Sequence, residues 1–115
     1  MLQNLFKPCV YLRSCVYLRT FSKNGILCSV RINSSKSMIG HLLGGASGVE
    51  GVATVLSVYH QRMHPNINLD SPEADVDTNI LVGSEAQDRE IEVALSNSFG
   101  FGGHNSVVAF RRWHA

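Results

Sequence analysis

No stretch constrains this chain more than Asn97-Ser-Phe-Gly-Phe-Gly-Gly-His-Asn105. Its glycines, Gly100, Gly102 and Gly103, admit backbone conformations with φ > 0 and let main-chain N–H groups approach a neighbour or ligand closely. Before it, Ile91-Glu-Val-Ala-Leu95 alternates as a half-buried strand does, and after it Val107-Val-Ala-Phe110 supplies a return strand. The pattern predicts an antiparallel pair around a glycine turn. A phosphate cradle is a weak alternative, because the turn has neither the G-x-G-x-x-G spacing nor a Walker lysine.

A second dense stretch lies upstream: Ser34-Ser-Lys-Ser-Met-Ile-Gly-His-Leu-Leu-Gly-Gly-Ala-Ser-Gly-Val-Glu50. Lys36, His41 and Glu50 are its ionisable groups, in a setting of Gly, Ala, Ser, Leu and Val. From Leu43 to Arg62 the chain is expected to be helical, with Arg31 to Gly40 leading in as extended segment and loop. Val49, Val52, Ala53, Val55, Leu56 and Tyr59 put apolar surface on more than one side of that helix, so it is expected to be buried in a larger body. Gly44, Gly45, Gly48 and Gly51 each cost about 1 kcal/mol relative to alanine in a helix. Their number predicts close backbone packing at this end. Pro65 is expected to end the helical region, His64 to Glu73 to form a loop, and Asn79 to Val82 a short strand.

In their order and wording, K-S-M-x-G-H-L-L-G-x-x-x-G-V-E and N-S-F-G-F-G-G-x-N resemble the β-ketoacyl-acyl-carrier-protein synthases, the condensing enzymes of fatty-acid synthesis. The linker His64-Pro-Asn-Ile-Asn-Leu-Asp70 fits the same family. The resemblance implies a thiolase-like α/β fold, of which residues 31–113 are part of the C-terminal half: a buried helix plus antiparallel strands around the glycine turn. It implies decarboxylative condensation of an acyl thioester with malonyl carrier protein, without a cofactor or metal. His41 then serves decarboxylation as a neutral imidazole that donates to the enolate oxygen, a form favoured near a helix N-terminus. Lys36 and Glu50 support the site. Phe101 contributes a backbone N–H to the oxyanion hole and a ring that gates the acyl pocket, Gly100, Gly102 and Gly103 shape the turn, and Asn105 anchors it by side-chain hydrogen bonds. Phe99 is expected to be core. The partners implied are acyl carrier protein and, in the full-length enzyme, a second copy of the subunit.

Against a metal site, His60 and His64 are spaced i, i+4, but Gln61 stands where a zincin has glutamate and no third ligand is evident. The net charge of +1 gives no argument for nucleic acid or an anionic membrane. No run of about 18 apolar residues is present to cross a bilayer.

Charge divides the chain. Lys7, Arg13, Arg19, Lys23, Arg31 and Lys36 all precede Glu50, the first of nine acidic residues. Cys9, Cys15 and Cys28 also lie in this early part, an odd count that forms neither a disulfide framework nor a zinc site. Residues 1–30 carry the direct repeat Cys9-Val-Tyr-Leu-Arg13 and Cys15-Val-Tyr-Leu-Arg19, and they are expected to be an unrelated or transit-like basic segment. Ser37–His41 and His64–Asp70 look most like plastid members of the family, so plastid is the expected compartment, with mitochondrion or cytoplasm open. The family's cysteine nucleophile belongs upstream of the lysine motif, and none of the three cysteines sits in a matching context. The chain alone is therefore expected to be inactive and poorly folded or aggregating. Two alternatives remain open. One is a non-catalytic product that binds a full-length synthase subunit, and the other is a gene-model fragment with no function of its own.

Overall fold

The computed structural model describes residues 16–22, 25–72, 74 and 77–115. Cys9, Cys15 and the first copy of the repeat lie outside them. A four-stranded antiparallel sheet has the order β2-β1-β5-β6, from β1 (Val16–Ser22), β2 (Gly25–Asn33), β5 (Val93–Phe99) and β6 (Asn105–Arg111). Strand β1 sits between β2 and β5, with Val16 opposite both Asn33 and Ser96. Strand pairing thus runs across the compositional division at residue 30.

Between β2 and the glycine turn lie a four-residue helix α1 (Lys36–Ile39) and a 15-residue helix α2 (Ala46–His60). The expected extended path from Arg31 to Gly40 therefore holds only to Asn33. A 3-10 turn, Leu43–Gly45, precedes α2. The helix ends earlier than Pro65 requires, because Gln61 adopts the left-handed conformation (φ 55) and turns the chain. From there its side chain holds several segments together. Gln61 Nε2 donates to the carbonyls of Val58 (2.6 Å) and Ile91 (3.1 Å), while its Oε1 accepts from the Ile91 N–H (2.8 Å) and from Arg112 Nη1 (3.3 Å). Strands β3 (Arg62–Met63) and β4 (Gln87–Asp88) pair beside this junction.

The expected strand at Asn79–Val82 is instead a 3-10 turn, Thr78–Ile80. Asp77 causes it by accepting hydrogen bonds from the Asn79 N–H and side-chain amide, both at 2.9 Å, which tightens the backbone before any ladder can form. Leu81 alone bridges to Ile32, in parallel. The hairpin around the glycine turn forms as the alternation predicts, with Phe99 opposite Asn105, although β5 starts two residues later than Ile91 and runs to Phe99.

Val58, Met63, Val82, Ile91 and Ala94 form one core cluster, with Phe110 against it. Ile32 centres a second, with Val30, Ile80, Leu81 and Phe99. Helix α2 contributes little apolar surface to either. Its buried residues are Ala46, Glu50, Thr54, Ser57 and Val58, while Val49, Val52, Val55, Leu56 and Tyr59 are exposed, Val52 to 61% and Tyr59 to 79%. The helix is largely inverted: Glu50, Thr54 and Ser57 face inward, and three of its four valines face water. Burial on all sides is not realised within this chain. Nor is close backbone packing at Gly44, Gly48 and Gly51, where an added Cβ meets nothing within 4 Å.

Each such side chain forgoes about 1.5–3 kcal/mol that full burial supplies, and a contiguous stripe of them favours association. The chain is expected to show a light-scattering mass above 12.6 kDa, and the double substitution Val52→Lys, Leu56→Lys to give a monomer with a sharper melt. A wild-type monomer with a cooperative thermal transition is the contrary result.

Candidate functional site

The inward face of α2 carries Glu50, which with Lys36 forms the most buried charge pair among the described residues. Glu50 is 2% exposed, and its Oε1 is hydrogen-bonded and ion-paired to Nζ of Lys36, which is 11% exposed at the start of α1. A carboxylate at this depth needs a cation or strong donors, since burial without them favours the protonated form. One turn on, Thr54 Oγ1 donates to the Glu50 carbonyl at 2.7 Å. Asn33, Ser34 and Ser35, at the end of β2, are also buried, which continues a polar seam between sheet and helix. Within it and beside it, Glu50 Oε2, Ser35 Oγ, Asn33 Oδ1 and His64 Nε2 have no hydrogen-bond partner among the described residues.

His41 lies between the two members of this ion pair in sequence but apart from them in space. Gly40 (φ 72) turns the chain out of α1, and Leu43 takes the left-handed region (φ 48). A leucine in that region is uncommon and strained. Separately, the Leu43 N–H donates to His41 Nδ1, 3.0 Å away. With Nδ1 accepting, the neutral ring carries its proton on Nε2.

A cleft of about 700 Å³ brings His41 together with the glycine turn. Gly100, Phe101, Gly103, His104 and Asn105 line one side, and His41, Leu43, Gly44 and Ser47 the other. A side chain is disfavoured at position 100, because a Cβ there would stand 3.2 Å from the His104 carbonyl oxygen, a tight contact that the turn would have to relax. That oxygen accepts the Gly100 N–H at 2.6 Å and closes the turn. Gly102 and Gly103, at φ 81 and 82, occupy conformations that side chains rarely adopt. Phe101 is 75% exposed at the cleft, whereas Phe99 is partly buried against Ile32, in line with a core role.

Of the residues singled out by sequence, the structure brings His41, Phe101, Gly100, Gly103 and Asn105 to one cleft. It sets Lys36 and Glu50 apart as a buried pair, and Gly102 shapes the turn without lining the space. Asn105 departs from expectation. It is held by the backbone ladder opposite Phe99, and among the described residues its exposed side chain makes no hydrogen bond. No cysteine lines the cleft among the described residues. Sequence reasoning missed Asn33, Gln61 and Asn68. Asn68 had one local signal, an asparagine in a loop, where left-handed backbone is tolerated.

Residues 17–70 match the C-terminal domain of the β-ketoacyl synthases. The chain is 57% identical over 81 residues to the chloroplastic 3-oxoacyl-[acyl-carrier-protein] synthase II of Arabidopsis thaliana, covering 70% of this chain and 15% of that protein. It is 53% identical over 81 residues to the chloroplastic synthase I of Hordeum vulgare, covering 70% and 17%. To the 3-oxoacyl-[acyl-carrier-protein] synthase 2 of Synechocystis it is 45% identical over 85 residues, covering 74% and 20%. The chain thus spans a fifth or less of the length of these curated relatives.

Breaking a buried ion pair costs about 3–5 kcal/mol, whereas replacing both partners by apolar groups is often near neutral. In the Val52→Lys, Leu56→Lys background, Lys36→Met is expected to lower the urea midpoint sharply. Adding Glu50→Leu is expected to restore most of the loss. Equal midpoints for single and paired replacements would show that Glu50 is solvated.

Proposed function

Residues 17–70 belong to the β-ketoacyl synthase family, in its C-terminal domain, and on that basis we propose that the chain supplies the decarboxylating part of a 3-oxoacyl-[acyl-carrier-protein] synthase site. The observation that carries the reading is His41, with Nδ1 tied by the Leu43 N–H, in one cleft with the Gly100–Gly103 turn. An Nε2–H donor there suits the oxygen of a malonyl thioester. As the carboxylate leaves as carbon dioxide, the electron pair of the breaking C–C bond forms an enolate, and His41 stabilises its oxygen by a hydrogen bond. The enolate carbon then attacks the carbonyl of an acyl group held as a thioester on a cysteine outside this chain. The thiolate leaves, and the Phe101 main-chain N–H serves the oxyanion formed on the way. Lys36 and Glu50 hold the loop that carries His41. Acyl carrier protein delivers both thioesters, the whole enzyme is a homodimer of thiolase-like fold, and the compartment is the plastid, a reading supported by the chloroplastic plant relatives.

Without the nucleophile the chain alone does not condense. A second reading, in which it binds a full-length synthase subunit without catalysis, draws on the apolar stripe of α2. Co-purification with such a subunit tests it.

The catalytic reading is tested by mixing the chain with the separately expressed preceding portion of the Hordeum vulgare relative and measuring carbon dioxide release from malonyl carrier protein. Activity is expected only in the mixture, and His41→Ala is expected to lower it by about 10²-fold or more, the scale of losing one oxyanion donor. A stable mixed complex in which His41→Ala is as active as wild type removes His41 from the chemistry.

A further inference from the structure

The four residues of α1 are too few to satisfy their own carbonyls. Lys36 O accepts the Gly40 N–H at 2.9 Å. The Ser37 carbonyl takes its hydrogen bond from elsewhere, the side-chain amide of Asn68, at 3.1 Å. Asn68 reaches it from the His64–Asp70 loop in a left-handed conformation, φ 62. That loop is fixed at its base. Asn33 Nδ2 donates to the His64 carbonyl at 2.8 Å, and the N–H of buried Asn66 donates to the Gly83 carbonyl at 2.9 Å.

His41 is therefore held from two sides. On the C-terminal side, the strained Leu43 presents its N–H to Nδ1. On the N-terminal side stands α1, whose closing turn is tied to Asn68 through Ser37. We propose that Asn68 is a positioning residue for His41: by fixing the end of α1 it sets where Gly40 releases the chain, and so whether Nδ1 meets the Leu43 N–H. Asn68 touches no reacting group. Its bearing on catalysis rests on the decarboxylation reading of His41, while the placement of the ring does not.

The hydrogen bond is exposed, so its removal is expected to leave folding nearly unchanged. This permits a test of placement separate from folding. Asn68→Gly keeps positive φ accessible and removes the amide. Asn68→Asp keeps size and left-handed tolerance but cannot donate when ionised. Solid-state ¹⁵N spectra of the full chain with labelled histidine read the tautomer of each ring, in sedimented as well as dissolved protein, and His41 is identified by the signals lost in His41→Gln.

In the wild type, His41 is expected to show a protonated Nε2 and an unprotonated Nδ1 with widely separated resonances. In both Asn68 variants these are expected to collapse towards their mean, with the other four of the five histidines unchanged. A mixed His41 tautomer in the wild type overturns the proposal. So does an unchanged His41 in both variants, or a change in all five histidines together, which would make Asn68 a residue of the fold at large. If the tautomer shifts as expected but carbon dioxide release in the mixed enzyme is insensitive to His41, the positioning stands and the catalytic reading falls.

Discussion

The Lys36–Glu50 ion pair ties the start of α1 to the second turn of α2, and His41 lies on the chain between them. The pair thus closes the segment that carries His41 into a loop. A charge pair is a costly way to join two helices, since desolvation offsets much of the attraction. It has a directional merit that an apolar contact lacks. A misplaced Lys36 leaves a carboxylate buried without its cation, so the alternatives to the observed loop are high in free energy. The free energy here goes into register more than into stability.

The same economy explains the inverted helix. Because α2 turns Glu50, Thr54 and Ser57 inward, Val49, Val52, Val55 and Tyr59 are left exposed, and Val58 is the one buried valine of the helix. The buried polar seam and the apolar stripe are two sides of one rotational choice. A half-turn rotation would bury the stripe against β5 and remove Glu50 from Lys36. The short 3-10 turn before the helix and the left-handed Gln61 after it hold the rotation in place. Gln61 does so without glycine's conformational freedom, offsetting its strain with three side-chain hydrogen bonds to main chain and one to Arg112.

Much of the hairpin was legible in the residues. The alternation on either side of Gly100–Gly103 predicts strands, and the glycines predict the turn. The structure adds the reason for the first glycine, the close His104 carbonyl. The Asn79–Val82 strand was misread because Asp77 acts over two residues, and hydrophobic pattern is blind to such a cap. The helix end, expected at about Arg62, falls at His60, where left-handed Gln61 caps it with its N–H to the Ser57 carbonyl and its side chain to Val58 and Ile91. Asn105 illustrates the opposite error, in which a polar residue at a turn was expected to bond through its side chain and is held by the ladder alone.

The sequence by itself determined the family resemblance, the glycine turn and the helix, because these rest on local spacing and on motif wording. Tertiary structure alone decided which face of α2 is buried and which loop caps the end of α1. Those outcomes depend on contacts between segments distant in the chain. Asn68 and Ser37 are separated by 31 positions, as are Asn33 and His64. No periodicity in a single strand or helix records such a pairing, since the free energy that selects it exists only once both segments are in place.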